Sequence, residues 1–285
     1  MANRFPLSTQ SILFTLFGDY VYSPKLNRAI WVGSLINLLK EFGHSEQAFR
    51  LSFSRMYSNG WLERQKKGVR SYYAMSEKGL QLMIDSEKRI FPQSTKTQGW
   101  DGHWFLVGHI QPNEDSSKNT RDIRYELRRE LKWLGFGTLS SNIWISPYDY
   151  KYEVQQIFKK LNIIDSIEIF TATHDGYALD RILVTKCWDL SKTNAAYRQF
   201  LNEYSSRLTE IKSQLEKREF SDSQCFFERV MLVTQYRKFP FSDPGLPEEL
   251  LLPDWLGIKA TNLFTELHDL LAPGAFQFFY NEINR

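Results

Sequence analysis

Four side chains that can bond to DNA bases lie on one predicted helix near the start of this 285-residue chain. Ser45 is a suitable N-cap residue, and the pattern that follows it predicts a helix that ends near Ser58. Phe49, Phe53 and Met56 recur at i, i+4 and i+7 and share the face that packs on a core. Arginine and glutamine make paired hydrogen bonds to guanine and adenine edges, and serine bonds to bases or phosphate. The side chains of these types outside the apolar face are Gln47, Arg50, Ser54 and Arg55.

A short basic hairpin is predicted directly after this helix. Asn59 and Gly60 end the helix, and residues 61–65 and 70–75 have the composition of two strands with a turn between them. Four cations within seven residues could contact the phosphates of a nucleic acid, namely Arg64, Lys66, Lys67 and Arg70. A helix of this kind followed by a basic hairpin predicts a winged helix-turn-helix, with the helix in the major groove and the hairpin on the backbone. For each cation alone, a solvated surface is the alternative, but their occurrence together in this order favours DNA binding.

The charge of the chain is unevenly distributed. Residues 1–95 contain 13 Lys/Arg and 7 Asp/Glu, a net charge of +6, whereas the remainder has a net charge of −3. Any nucleic-acid affinity is therefore expected in the first third of the chain. No apolar run approaches the length that spans a bilayer, and two widely separated cysteines are typical of a reducing compartment. We expect a cytoplasmic protein without a membrane partner.

The order of predicted elements divides the chain into three parts and predicts the α+β class. Residues 1–95 are the predicted winged helix-turn-helix domain, and residues 92–101 have the composition of a linker. Residues 100–178 follow the order βαββαβ, which is typical of a ferredoxin-like domain. Residues 179–285 are predicted to be a mostly helical domain for effector response or dimerisation. Within it, Pro273 is expected to break the last helix into two.

The chain contains no recognisable motif for catalysis or metal binding. Its five histidines lack the spacing of metal ligands, and it contains neither a nucleophile elbow nor a glycine-rich phosphate loop. We therefore expect no enzymatic activity, no catalytic residues, no metal site and no cofactor. The alternative that stays open is a metal-dependent nuclease built on the ferredoxin-like part. In that case Asp101, just before the first strand of that part, would be a metal ligand.

Several distinctive stretches resemble the PaaX family, the repressors of phenylacetic-acid catabolism. They follow one another in collinear order from residue 11 to about residue 280 and include SILFTLFGDYV, IWVGSLINLLKEFG, FRLSFSRMYSNGWLERQKKGVRSYYAMSEKG, WDGHWFLV, RRELKWLGFGTLSSNIWISP, CWDL and LPEELLLPDWLG. Two positions depart from the family pattern. Leu51 and Ser54 stand where a small polar residue and a phenylalanine are expected, which predicts a different base preference or a different helix packing.

The resemblance implies a cytoplasmic, dimeric regulator that binds a double-stranded DNA operator. Such a regulator represses an operon for aromatic-acid breakdown and is released by an aryl-acyl-CoA such as phenylacetyl-CoA. The operator, the effector, the sign of regulation and the dimer-forming domain stay open.

An effector of that chemistry would need cations for its phosphates and an apolar pocket for its aryl group. The second half of the chain offers both, but no motif selects among them, so the effector-binding residues are not assigned. The candidate cations are Arg181, Lys186, Arg198, Arg229, Arg237 and Lys238. The candidate pocket walls are Trp188, Tyr197, Phe226, Phe227, Tyr236 and Trp255. For each of them, an ordinary core or surface position is the alternative.

Overall fold

The structure is a computed structural model, and it describes residues 7–21, 29–90, 99–109 and 118–284. The chain forms two compact units, each assembled from separate parts of the sequence. Unit 1 comprises the described parts of Met1–Pro92, Arg198–Lys238 and Gly257–Arg285. Unit 2 comprises the described parts of Gln93–Tyr197 and Phe239–Leu256.

Unit 1 combines helices from both ends of the chain with one small sheet. Its elements from the N-terminal segment are α1 (Thr9–Leu16), a π-helical turn (Phe17–Val21), β1 (Ile30–Trp31), α2 (Val32–Leu38), a 3₁₀ turn (Lys40–Phe42), α3 (Glu46–Ser58), β2 (Leu62–Lys67), β3 (Arg70–Met75) and α4 (Glu77–Ile90). The later segments add most of α8 (Ser191–Glu216), all of α9 (Asp222–Tyr236) and all of α10 (Gly257–Ile283).

The sheet of unit 1 has the strand order β1-β3-β2 and is antiparallel throughout. β2 and β3 form a hairpin in which Leu62 pairs with Met75 at one end and Lys67 pairs with Arg70 at the other. Gly68 begins the two-residue turn with a φ of 60°, a conformation that glycine adopts without strain. β1 adds two residues on the outer side of β3.

Helices α9 and α10 pack directly on the N-terminal helices. Phe226 of α9 is almost fully buried, and its ring lies 5.0 Å from that of Tyr20 and 6.3 Å from that of Phe42. Phe279 of α10 lies 5.2 Å from Tyr20 on another side. The first helices of the chain therefore depend on residues from its last third for their core.

The last helix continues through Pro273, so the predicted break at this residue is wrong. A proline in a helix costs about 3 kcal/mol because it lacks an N–H and crowds the preceding turn. Leu271 and Ala275, on either side of it, are both buried, and α10 packs along α9. At Gly274 a Cβ atom would lie 2.8 Å from the Sγ atom of Cys225, so the two helices approach closely there. Burial on both sides of Pro273 outweighs its local cost.

Unit 2 contains a four-stranded antiparallel sheet whose faces are both covered. Its elements in chain order are β4 (Trp104–His109), α5 (Lys118–Trp133), β5 (Gly137–Ser140), β6 (Ile143–Ser146), α6 (Lys151–Leu161), a 3₁₀ turn (Ile164–Ser166), β7 (Ile167–Ala172), α7 (Asp180–Cys187), the start of α8, and 3₁₀ turns at Phe239–Phe241 and Glu248–Leu250. The strand order is β5-β6-β4-β7, and β4 to β7 follow the βαββαβ order predicted for this region.

Alternate residues of the central strands enter two different cores. Phe105 and Trp144 pack with residues of α5 and α6, whereas Trp104 and Ile145 pack with residues of α7 and of the segment that follows α9. Trp188 closes the second core, and its ring lies so near Gly137 that a Cβ atom there would be 2.6 Å away. Its indole N–H also donates to the carbonyl oxygen of Gly135 at 3.0 Å.

The mixed α/β composition with two antiparallel sheets agrees with the predicted fold class. The division at residues 1–95, 100–178 and 179–285 stays a prediction. Packing groups the chain differently, because α7 belongs to unit 2 whereas α9 and α10 belong to unit 1. The predicted linker, residues 92–101, lies mostly outside the described residues.

Candidate nucleic-acid interface

Helix α3 has one buried and one exposed face. The Oγ atom of Ser45 accepts the N–H of Ala48 at 3.2 Å and caps the helix as predicted. The buried face consists of Phe49, Ser52, Phe53 and Met56. All four predicted base-contacting side chains are exposed, namely Gln47, Arg50, Ser54 and Arg55.

The buried face of α3 is held by α1 and β3. The ring of Phe53 stacks on Tyr73 at 5.2 Å and meets Phe17 edge-on at 6.3 Å. The hydroxyl of Ser52 forms a hydrogen bond with that of Thr9. Because apolar packing, ring contacts and a buried hydrogen bond all act on one side, the outward direction of α3 is well defined.

Arg50 is paired within its own helix. Its Nη2 atom lies 2.6 Å from the Oε1 atom of Glu46, and its Nε atom donates to the same oxygen at 2.7 Å. Both side chains are more than half exposed, and such i,i+4 pairs contribute only about 0.3–0.5 kcal/mol. The pair therefore orients the guanidinium of Arg50 without a large barrier to its release.

The hairpin carries its cations on exposed positions, and three of them lie over aromatic rings. All four predicted phosphate-contacting residues are exposed, namely Arg64, Lys66, Lys67 and Arg70. The guanidinium of Arg64 lies 5.0 Å from the ring of Tyr57, the ammonium of Lys67 lies 5.3 Å from Tyr72, and the guanidinium of Arg70 lies 4.5 Å from Trp31. Cation–π contacts at exposed sites stabilise by about 0.5–1 kcal/mol, so the charges have preferred positions.

The end of the hairpin is fixed by the start of α4. The hydroxyl of Ser76 donates to the carbonyl oxygen of Gly60 at 2.5 Å and accepts the N–H of Gly79 at 3.0 Å. At Gly79 a Cβ atom would be 2.1 Å from the carbonyl oxygen of Trp61, so only glycine permits this approach of the helix to the strand. The hairpin is thereby anchored to a helix at the end opposite its basic turn.

The structure thus brings all eight predicted residues to two adjacent exposed elements, α3 and the hairpin. Whether they contact DNA stays a prediction. The sequence interpretation left one exposed residue out of this set. Leu51 lies on the outward face of α3 and is 50% exposed. The signal was available, because Leu51 lies on the side of the helix opposite Phe49, Phe53 and Met56.

A buried ion cluster connects the support of α3 to the C-terminal helices. Arg229 of α9, with a side chain only 3% exposed, forms an ion pair with Asp19 of the π-helical turn. Its Nε atom donates to the carbonyl oxygen of His268 at 3.2 Å, and its Nη2 atom lies 2.5 Å from the Nε2 atom of that histidine. The rings of Tyr20 and Phe276 lie 5.2 Å and 4.9 Å from its guanidinium.

The candidate effector residues are divided between the two units. Those in unit 2 are Arg181, Lys186, Trp188, Tyr197 and Trp255, and those in unit 1 are Arg198, Phe226, Phe227, Arg229, Tyr236, Arg237 and Lys238. Arg229 is engaged with Asp19, and Arg181 donates from Nε to the carbonyl oxygen of Glu249 at 2.7 Å. Arg237 donates to the hydroxyl of Ser11 at 2.8 Å, and burial lowers the pKa of Arg237 to about 10.

Asp101 has a local role in the structure. Its Oδ1 atom accepts the backbone N–H of His103 at 2.8 Å and lies 3.6 Å from the Nδ1 atom of that histidine. Among the residues that the structure describes, no group of three His, Cys, Asp or Glu side chains is arranged to hold a metal ion. Within the same residues, no helix combines the length and apolar character needed to cross a bilayer.

Comparison with known proteins assigns the chain to a class of three-part proteins, because three family models together cover nearly all of it. The family models are described as PaaX-like protein at residues 8–79, PaaX protein central Cas2-like domain at residues 97–184, and PaaX-like protein C-terminal domain at residues 188–281. The chain belongs to the PaaX family.

Two similar proteins show how far the likeness extends. The chain is 30% identical to the transcriptional repressor PaaX of Escherichia coli (strain K12) over 279 residues, which cover 97% of this chain and 84% of that protein. The solved structure of the uncharacterized protein Rv0674 from Mycobacterium tuberculosis matches with a TM-score of 0.57 and 19% identity, covering 95% of this chain and 98% of that one. The latter similarity concerns the fold alone.

Proposed function

We propose that this protein is a transcriptional repressor that binds double-stranded DNA through α3 and the hairpin, which act as a winged helix-turn-helix. In this arrangement α2 and α3 form the helix-turn-helix, with α3 in the major groove and the hairpin against the phosphate backbone. The observation that carries the proposal is the exposure of eight cationic and polar side chains on α3, whose other face is packed, and on the hairpin, which is anchored at the end opposite its basic turn. Such an arrangement can offer charge to phosphates while its outward helix face contacts bases.

The genes under control are proposed to encode the breakdown of an aromatic acid of the phenylacetate type, as the family resemblance implies. The 30% identity to the repressor from E. coli over 97% of this chain supports this proposal. We further propose a cytoplasmic homodimer that an aryl-acyl-CoA, such as phenylacetyl-CoA, releases from its operator. An effector of this kind must bind the free protein more tightly than the DNA-bound form. The middle part, with its βαββαβ order, is interpreted as ferredoxin-like.

A gel-shift assay with the DNA upstream of the gene for this chain tests both halves of the proposal. Binding that is specific and that phenylacetyl-CoA weakens supports the whole. Specific binding that no aryl-acyl-CoA changes would refute the proposed effector and would leave the proposed repressor function standing. Failure to bind that DNA or any duplex selected from a random-sequence pool removes the DNA-binding function itself.

Arg50→Ala is expected to weaken specific binding by about 1–3 kcal/mol, because a guanidinium bonded to a base edge contributes about this much discrimination. Arg50 can leave Glu46 at small cost, so the ion pair does not prevent the contact. The measurement is the dissociation constant for specific and nonspecific duplexes at one salt concentration. Arg128→Ala removes a similarly exposed arginine from unit 2 and is the matched control. Wild-type affinity in Arg50→Ala would show that α3 is not the recognition helix.

Replacing both Lys66 and Lys67 with glutamine is expected to weaken binding to all sequences alike. Each lost phosphate contact reduces the slope of log K against log salt by about 0.9, so the pair should reduce it by about 2. The measurement is a salt titration with specific and nonspecific duplexes. The matched control replaces Lys159 and Lys160, two exposed lysines that are neighbours in the sequence of α6, with glutamine. This change should leave the slope unaltered. A slope unaltered by the hairpin change would mean that the hairpin does not touch the backbone.

A further inference from the structure

The outward face of α3 has an apolar residue near its centre. Successive residues of a helix are rotated by about 100°, and the four buried positions define the inward direction of α3. The residues within about 30° of the opposite direction are Gln47, Leu51, Ser54 and Ser58. Arg50 and Arg55 flank this stripe, each about 70° from its centre. The Cα–Cβ bond of Leu51 therefore points more directly away from the core than that of Arg50 or Arg55.

Leu51 differs from every neighbour on this stripe. Its side chain is 50% exposed, while the adjacent stripe residues are an amide and two hydroxyls. A single exposed leucine on a protein surface is ordinary. Here, however, it lies midway along a helix face that is flanked by Arg50 and Arg55 and followed by the basic hairpin. In α3 and the hairpin, six cationic side chains outnumber the two acidic ones, Glu46 and Glu63. The occupant that fits such a face is polyanionic and has a small apolar group within reach.

The major groove of DNA has both properties. Phosphates line its edges, and the C5-methyl group of thymine is the apolar feature that distinguishes one base from the others. A leucine near the middle of an inserted helix is long enough to cover that methyl group, whereas the flanking arginines reach base edges and phosphates on either side. Contact between the two apolar groups removes both from water and is favourable in proportion to the area covered.

We propose that Leu51 contacts the 5-methyl group of a thymine and so makes this protein prefer thymine at the base pair beneath the middle of α3. The proposal rests on the proposed DNA-binding function and adds a specificity-determining residue to it. It also accounts for the absence of a charged or amide side chain at this position, since such a group would lose its hydration against the methyl group without gaining a partner.

The test removes the methyl group from the DNA and shortens the leucine in the protein. The DNA is a duplex that the wild-type protein selects from a random-sequence pool, synthesised once with thymine and once with uracil at every thymine position. Uracil keeps the hydrogen-bonding groups of thymine and lacks only the methyl. The proteins are wild type, Leu51→Ala and Leu179→Ala, the last removing an exposed leucine of unit 2 as a matched control. Alanine favours the helix, so α3 is retained.

Wild type and Leu179→Ala are expected to bind the uracil duplex at least about fourfold more weakly, the factor for one methyl-sized group. Leu51→Ala is expected to bind the thymine duplex about fourfold more weakly than wild type and to lose most of the difference between the two duplexes. Equal sensitivity to uracil in Leu51→Ala and wild type would overturn the inference, as would no sensitivity in wild type. If the pool yields no bound duplex, the proposed DNA-binding function and the role of Leu51 both fail. Specific binding with unchanged methyl sensitivity overturns the role of Leu51 alone.

Discussion

Replacing Arg229 with methionine is expected to lower the free energy of unfolding of unit 1 by about 3–5 kcal/mol, the usual cost of breaking a buried ion pair by removing one partner. The methylene groups of arginine are largely replaced, so little cavity forms. What is lost is the guanidinium between the rings of Tyr20 and Phe276 and its bonds to Asp19 and His268. The carboxylate of Asp19, only 14% exposed, then has no guanidinium partner.

Urea unfolding followed by circular dichroism measures this change, with the transitions of the two units fitted separately. Arg198→Met changes an exposed arginine of α8 in the same unit and should alter stability by less than about 0.5 kcal/mol. Combining Arg229→Met with Asp19→Leu should restore part of the loss, because the buried carboxylate, which without the guanidinium faces the Nε2 atom of His268 at 3.6 Å, is then gone. A loss below 1 kcal/mol in Arg229→Met would mean that the cluster adds little to the stability of unit 1.

Trp144→Ala is expected to destabilise unit 2 by about 3–5 kcal/mol, the range for deleting a large buried aromatic side chain. Trp144 is 1% exposed on β6, where its backbone pairs with Val107 and Thr138 and its ring lies in the core against α5 and α6. Alanine would leave a cavity at the middle of the sheet that the paired strands cannot close.

Trp144→Phe separates the packing of the ring from its polar atom. Among the described residues, the buried Nε1 atom of Trp144 has no hydrogen-bond partner. Phenylalanine removes that unpaired N–H and keeps most of the apolar area, so the loss is expected to stay below about 1.5 kcal/mol. Thermal and urea unfolding measure the loss of stability in both variants. Similar losses for alanine and phenylalanine would indicate that the indole N–H has a partner in solution.

Local sequence signals were sufficient for the elements of the candidate interface. Ser45 caps α3 as predicted, Gly68 forms the turn of the hairpin, and the βαββαβ order of the middle region is found at nearly the predicted positions. Each of these features depends on residues close in sequence, such as a cap, a turn glycine or an apolar period. The outward direction of α3 follows from the same period. Leu51 was noted only as a departure from the family pattern and was not placed among the base-contacting residues, because its side chain cannot form hydrogen bonds.

The packing between distant segments could not be predicted in this way. Arg229 was considered as a ligand for effector phosphates, yet the structure buries it against Asp19, 210 positions earlier in the chain. Pro273 was expected to break a helix, yet the helix continues through it with Leu271 and Ala275 buried on either side. In both cases tertiary contacts outweigh a local preference, and a single sequence contains no periodicity that reports such contacts.

The dependence of the first helices on α9 and α10 also bears on when the proposed DNA-binding surface is complete during synthesis. Domains of many proteins fold as soon as they leave the ribosome, N-terminal part first. Here Tyr20 and Phe42 emerge early, whereas the phenylalanines that cover them, Phe226 and Phe279, emerge last. A nascent or prematurely ended chain carries α3 on an unfinished support with apolar rings exposed. We therefore expect α3 to reach its final packing only after α10 has been synthesised.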